Sequence, residues 1–354
     1  MAMMQASVLS QHFGSYLRLP RFVSSSHSLA GSGQPWKRQV RLTKASLRMD
    51  ETLGYCVLSG IRQVADLHKY KVWLLDQFGV LHDGKKPYPG AVEALEMLAK
   101  SGVELVLLSN SSRRSEVTTE KLASLGFDPS IFSGILTSGE LTHRYLESRQ
   151  DPWFSALGQR CIHITWSARG SISLEGLGLE IVEDLEQADF ILAHGTEALG
   201  KRDGYNVEPV SLEKLELLLQ IASTRHIPMI IANPDLVTVE TRVLRTMPGT
   251  LGMKYEQMGG EVRWMGKPDP IIYRAVEEIT SVDAALTVAV GDSLHHDIRG
   301  ASSSGIDSVF VAGGIHAQEL LIDEIGAPPN KQALLSLIHN EGICPSYVIP
   351  TFSW

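Results

Sequence analysis

The stretch Lys71-Val72-Trp73-Leu74-Leu75-Asp76-Gln77-Phe78-Gly79-Val80-Leu81-His82-Asp83-Gly84 decides how the rest of the chain is read. A short apolar run stops at a carboxylate, and a glycine follows three residues later. Apolar runs of this length, bounded by turn formers, mark buried strands of a parallel sheet. In open α/β sheets the ligand crevice lies at the carboxyl ends of the strands, which puts Asp76 at a strand tip facing that crevice. Taken alone, Asp76 reads first as a turn aspartate. Gly79 suits a tight turn that lets the backbone pass close to a bound anion.

Outward from this stretch, strands and helices alternate. Residues 54–68 carry Val57, Ile61, Val64 and Leu67 on one stripe, which predicts a helix. After the strand to Asp76, a loop through Pro87, Pro89 and Gly90 leads to a helix over Ala91–Ser101, with Gly102 placed to end it. A second apolar strand, Leu105–Leu108, stops at Ser109-Asn110-Ser111-Ser112. A helix through Leu122, a strand Ile135–Thr137 and a helix to about Glu147 follow. This βαβα order implies a doubly wound, Rossmann-like parallel sheet.

Residues 145–231 are less regular and read as an inserted smaller α/β unit. Its strand candidates are Cys161–Trp166, Phe190–Ala193 and Pro228–Ile231, with a helix over Leu212–Ser223. The doubly wound pattern is expected to resume with Val262–Met265, a helix over Pro270–Ile279 and the strand Leu286–Val290. That strand ends at Gly291-Asp292-Ser293-Leu294-His295-His296-Asp297, and the strand Ser308–Val311 comes after it. The domains expected are therefore 50–144 and 232–354 as two halves of one core, with 145–231 between them.

Three apolar strands thus end in Asp76, Ser109 and Asp292, and Lys267 lies in Met265-Gly266-Lys267-Pro268. Neighbouring strands are about 4.8 Å apart, so such tips can converge on one small polar ligand. Two carboxylates make a hard-oxygen site suited to Mg²⁺, which usually takes one or two carboxylates together with phosphate oxygens. A hydroxyl and an ammonium supply donors for the remaining phosphoryl oxygens. A strand-tip aspartate beside the metal can attack phosphorus.

These four segments, Asp76-Gln77-Phe78-Gly79-Val80, Ser109-Asn110, Lys267-Pro268 and Gly291 to Asp297, resemble the motifs of the haloacid dehalogenase-like hydrolases in order and spacing. An insert between the second and third motifs resembles class IIA of that superfamily, which carries a large α/β cap. Pro89-Gly90-Ala91 and Ala232-Asn233-Pro234-Asp235 are further likenesses. The resemblance implies Asp76 as nucleophile and metal ligand, Ser109 as phosphoryl binder, and Lys267 as the neutralising cation. It implies Asp292 as a second metal ligand, with Asp297 supporting the metal waters or Lys267. The backbone carbonyl of Phe78 would be a further metal ligand, and Asn110 and Asn233 would lie along the substrate.

The phosphatases of this family have a second aspartate two places after the nucleophile, as general acid and then base. Here that position is Phe78. Positioned acid–base catalysis is typically worth about 10²–10⁴-fold. The chain thus reads either as a slow Mg²⁺-dependent phosphatase of a small phosphorylated metabolite, or as a weakly catalytic phosphate-binding or regulatory protein. An innocent packing role for Phe78 beneath the cap is also open. An aromatic at this position occurs in the metal-free dehalogenases, but Asp292 and Asp297 have no use in that chemistry.

Composition bounds the rest. Of 354 residues, 44% are hydrophobic and 20% charged, as in ordinary globular proteins. No apolar run approaches the roughly 18 residues that span a bilayer. The scattered Cys56, Cys161 and Cys344 suggest neither a disulfide framework nor a metal cluster. Residues 1–49 contain no Asp or Glu, nine serines, and seven positive charges from Arg18 to Arg48. That is the composition of an organelle transit peptide, chloroplast in preference to mitochondrion. Removing its seven charges from a net of −8 leaves the remainder at −15, which argues against nucleic acid or an anionic membrane as partner. Class IIA proteins often pair through their caps, so a homodimer is expected by analogy alone. Thr196 and Glu197, after the strand at Phe190–Ala193, read first as a polar turn and second as specificity residues. His295-His296 reads first as a solvated loop pair and second as metal-binding.

Overall fold

The computed structural model describes residues 54–354 apart from Ala168, Thr241 and Arg242. The expected transit peptide, residues 1–49, lies outside the described residues. The first strands are β1 (Cys56–Val57), β2 (Val72–Leu75), β3 (Glu104–Ser109) and β4 (Gly134–Thr137). Six more follow: β5 (Arg160–Thr165), β6 (Glu180–Ile181), β7 (Phe190–Ala193), β8 (Ala198–Gly200), β9 (Val207–Pro209) and β10 (Met229–Ile231). A hairpin of β11 (Val237–Glu240) and β12 (Val243–Thr246) precedes β13 (Val262–Trp264), and β14 (Thr287–Gly291), β15 (Asp307–Val311) and β16 (Tyr347–Ile349) complete the chain.

Seven of these strands form a wholly parallel sheet in the order β1-β16-β15-β14-β2-β3-β4. Its side chains alternate between two apolar layers. Trp73, Leu75, Leu105, Leu107, Val288 and Val290 enter one, beneath the helix Ala91–Lys100. Val72, Leu74, Val106, Leu108 and Ala289 enter the other, against Ile271, Ile272 and Val276 of the helix Pro270–Thr280. A sheet buried on both faces explains the uninterrupted apolar runs in the sequence. Local chemistry sets the helix ends. Gly90 and Gly102, at φ +80° each, bracket the first of these helices, and Asp269 caps the second by accepting from the N–H of Ile271.

The second sheet runs β13-β10-β7-β5-β8-β9, with β6 beside β5. Leu215, Leu219 and Ala222 of the helix Leu212–Thr224 pack on one face, with Leu251 and Tyr255 of the helix Pro248–Gln257. The core with an inserted α/β cap is therefore as expected, but sheet membership moves one border. Val262–Trp264 pairs with β10 in the second sheet, whereas the sequence pattern assigns it to the core. The helix Pro248–Gln257 is the crossover that returns the chain beside β10, and Gly252 is what seats it. A Cβ there would come within 2.8 Å of Ile231 and 2.7 Å of Trp264.

The expected helix over residues 54–68 is not formed as such. Cys56 and Val57 pair with Tyr347 and Val348, and only Arg62–Ala65 is helical. Gly60 explains part of this, because its backbone lies against the carbonyl of Ser353, 2.7 Å from where a Cβ would stand. No helix among the described residues is long and apolar enough to cross a membrane.

Candidate active site

The tips of β2, β3 and β14 lie side by side because these strands are neighbours in register. Asp76 continues β2 by one residue, its N–H donating to the carbonyl of Val290. Its Oδ1 accepts from Lys267 Nζ at 2.7 Å. The same ammonium donates to Asp297 Oδ1 at 2.7 Å and to the carbonyl of Leu108 at 2.9 Å. All three of its protons are committed. Lys267 therefore neutralises the site through its charge, with no proton left over for a bound phosphoryl oxygen in this arrangement.

Asp76, Asp292 and Asp297 each bring a carboxylate oxygen within 4.8 Å of the others, and all three are buried. With all three carboxylates ionised, the cluster and Lys267 would total −2. Burial, opposed by Lys267 and reinforced by Asp297 and Asp235, pushes Asp76 up to about 7. Burial, then Asp76 and Asp297, push Asp292 well above the carboxylate range. Burial alone would lower Lys267, but Asp297 and Asp76 outweigh it and hold it above its ordinary value. Three buried oxygen donors whose full ionisation is opposed by burial and by one another fit a divalent, oxygen-seeking cation that would balance their charge.

Backbone holds the carboxylates in place. The Ile315 N–H donates to Asp292 Oδ2 at 2.7 Å, and the Ser293 N–H to Asp297 Oδ2 at 3.0 Å. Gly79, at φ +85°, passes so close that a Cβ would stand 1.9 Å from Asp292 Oδ2. Gly314 presses on the same carboxylate from elsewhere, at 2.2 Å. The tight turn at Gly79 is thus a close approach to Asp292, and it brings the Phe78–Gly79 peptide beside the acidic cluster.

Phe78 is not a packing residue beneath the cap. It is 43% exposed, with its ring edge-to-face on His82 and over Gly84. Asn110 is buried and works as a clamp. Its Oδ1 accepts from the Lys267 N–H at 2.8 Å, and its Nδ2 donates to the Lys267 carbonyl at 3.0 Å and to Asp235 Oδ1 at 2.9 Å. Asn233 shapes the turn that delivers Asp235, accepting from its N–H at 2.9 Å. Thr196 Oγ1 donates to the carbonyl of Thr246 at 3.1 Å. Glu197 accepts from Ser167 and pairs with Arg245 at 3.3 Å. These bonds tie the β11–β12 hairpin and the β5 loop together within the second domain, so Thr196 and Glu197 read as scaffold for the cap.

Four residues outside the sequence-derived set belong to the site. Gln77 donates to Ser109 Oγ at 2.8 Å, and His82 meets Gln77 Oε1 at 3.3 Å. Burial and Lys121 push His82 down to about 4, so its ring is neutral. Asp235 reaches Asn110, and His296 sits 3.2 Å from the Lys267 carbonyl and 3.7 Å from Asp235. His296 is thus a junction between the two domains, in contrast to the solvated pair expected. A polar amide next to Asp76 in an otherwise apolar stretch was the available signal for Gln77. Trp166, which donates to Ser112 Oγ at 3.2 Å, brings the end of β5 onto the same tips.

Two family models match the chain. One describes a haloacid dehalogenase-like hydrolase over residues 73–180, and the other a HAD-hydrolase-like segment over residues 264–334. Between them they cover the segments that carry Asp76, Ser109, Lys267 and Asp292, the first running on through β5 of the second sheet. The chain belongs to the haloacid dehalogenase-like hydrolases. Among curated members it is similar to an acid sugar phosphatase of Staphylococcus aureus, 26% identical over 255 residues, covering 72% of this chain and 90% of that one. Among solved structures of the superfamily it is similar to a haloacid dehalogenase-like hydrolase from Brucella suis, with TM-score 0.63 and 25% identity, covering 83% of this chain and 98% of that one. It is also similar to a p-nitrophenyl phosphatase from Archaeoglobus fulgidus, with TM-score 0.57 and 25% identity, covering 80% and 97%. Their folds, like this one, place an inserted cap domain on the Rossmann-like core.

Proposed function

We propose that this hydrolase is a Mg²⁺-dependent phosphatase of a small phosphorylated metabolite, working through a phosphoryl group carried on Asp76. The observation that carries the reading is the buried cluster of Asp76, Asp292, Asp297 and Lys267, with the Ser109 hydroxyl beside it. The names of the similar proteins support the reaction class. Asp76, Asp292 and Asp297, with the Phe78 carbonyl, would hold the cation, whose charge supplies stabilisation for developing negative charge on the phosphoryl oxygens.

The remaining steps fall to the protein's own groups. Lys267 fixes Asp76 by one oxygen and opposes the burial that would protonate it. An oxygen of Asp76 bonds to phosphorus as the bond to the leaving alcohol breaks, and water then cleaves the acyl phosphate and restores the carboxylate. Phe78 brings no proton to the departing alkoxide and takes none from that water. Turnover of esters with poor leaving groups is accordingly slow. A metal-free halide displacement has no part for Asp292 and Asp297.

The test is a panel of phosphate esters with purified protein, with and without Mg²⁺. Turnover that requires Mg²⁺ and is lost in Asp76→Asn, by about 10⁴-fold or more, is the expected result. A second reading draws on Phe78: the protein binds phosphate and Mg²⁺ without consuming an ester. Saturable binding of both with no turnover on any member of the panel would establish that reading instead.

A further inference from the structure

A serine hydroxyl can give or take a hydrogen bond, and only the first is useful to a phosphoryl oxygen. At Ser109 two backbone N–H groups determine which it does. The Gly84 N–H donates to His82 Nδ1 at 3.0 Å. That nitrogen therefore presents its lone pair, and the neutral ring carries its proton on Nε2. His82 Nε2 faces Gln77 Oε1 at 3.3 Å and donates to it. The amide orientation is then fixed, so Gln77 Nε2 is the donor to Ser109 Oγ at 2.8 Å. The Ser111 N–H donates to the same oxygen at 3.2 Å. Both lone pairs of Ser109 Oγ are occupied. Among the described residues no acceptor takes its proton.

We propose that Gly84, His82 and Gln77 form a one-way hydrogen-bond chain that makes the Ser109 hydroxyl an obligate donor, reserved for an oxyanion of the bound phosphate ester. The proposal rests on the phosphatase reading for the identity of the acceptor; the direction of the chain is independent of it. Gln77, His82 and Ser109 are all buried, where a hydrogen bond is stronger than in water and an unmet donor is costly. An anion entering the site thus finds a proton already aimed, and a cation or a donor group finds none of the acceptor capacity a free hydroxyl would offer. Gln77 and His82 do not touch the substrate in this scheme. They are positioning residues.

Two measurements test it. In the intact wild-type protein near neutral pH, ¹⁵N NMR of the histidine rings, assigned by the signal lost in His82→Gln, should show His82 as the Nε2–H form. The Nδ1–H form would overturn the chain whether or not the protein is active. Second, Gln77→Glu at mildly alkaline pH replaces the donor with an acceptor-only carboxylate, and the Ser109 proton turns toward it. The Kd of inorganic phosphate and the KM of p-nitrophenyl phosphate should rise ten- to hundredfold, the range for a hydrogen bond to a charged group, while kcat changes less than threefold. The added charge also repels phosphate, so the comparison is repeated in Ser109→Ala, where no proton is left to redirect. There the effect of Gln77→Glu should be at least tenfold smaller. Equal effects in the two backgrounds would overturn the proposal. If wild-type protein neither binds phosphate nor hydrolyses the ester, the phosphatase reading fails, and the NMR result still decides the direction of the chain.

Discussion

Replacing Phe78 by aspartate puts a carboxylate where the structure has a half-exposed ring. The cost in stability is bounded by the area that ring covers. Full burial of a phenylalanine is worth about 1.5–3 kcal/mol, and Phe78 is 43% exposed, so losing its packing on His82 and Gly84 costs about 1–1.5 kcal/mol. A domain with a stability of about 5–15 kcal/mol tolerates that. The gain in rate, if only the acid–base group is missing, is about 10²–10⁴-fold, or roughly 3–5 kcal/mol of barrier. The assay is kcat on two esters, p-nitrophenyl phosphate and an alkyl phosphate such as glycerol 3-phosphate. A nitrophenolate departs without help and an alkoxide does not. A gain confined to the alkyl ester identifies the missing proton donor to the leaving group. An equal gain on both identifies the base for the attacking water, since the proposed acyl phosphate would be common to them. A folded Phe78→Asp protein with no gain on either ester would refute the reasoning.

Further outcomes follow from the same cluster and from the N-terminal composition. Lys267→Met removes the ammonium that contacts Asp76 and Asp297, and should destabilise the metal-free protein by about 3–5 kcal/mol in denaturant melts, with Mg²⁺ restoring part of the loss. Asp76, raised to about 7, favours the folded state while protonated, and that contribution disappears as pH rises from about 4 through about 7. Metal-free wild type should therefore lose on the order of 1–3 kcal/mol relative to Asp76→Asn across that window, measured by thermal melts, and Mg²⁺ should abolish the difference. Gly79→Ala, whose Cβ would collide with Asp292, should cost Mg²⁺ affinity by tenfold or more in calorimetric titrations. Residues 1–49 fused to a fluorescent reporter should carry it into plastids; a cytosolic signal would count against the targeting reading.

Much of the core was legible because a parallel strand buried on both faces must be apolar throughout, and its polar tip then stands out. Asp76, Ser109 and Asp292 are visible for that reason, and Lys267 by its place in the family pattern. What stayed hidden depends on pairing between distant parts of the chain. Cys56 and Val57 fit a helical stripe locally, yet they pair with Tyr347 and Val348. Val262–Trp264 has the pattern of any short strand, and only the crossover helix before it decides which sheet it joins. That helix contains Gly249 and Gly252, which weaken a helix by propensity but here give the sheet room to approach. The role of Gln77 is hidden for a different reason. Its role lies in the direction of a proton, which spacing does not encode.

The order of strands in the first sheet also governs when the site can come into being. β2 lies between β3, about thirty residues later in the chain, and β14, more than two hundred residues later. Loop closure over such a span must precede any contact between Asp76 and Asp292. The second sheet, by contrast, is contiguous in sequence from β5 to β13 and can form first. A chain cut short before β14 would hold a complete cap and an exposed, unpaired edge on β2, with neither Asp292 nor Asp297 beside Asp76. Such a fragment is a candidate for aggregation. Asp76 is among the earliest residues of the core to be synthesised and among the last to find its neighbours.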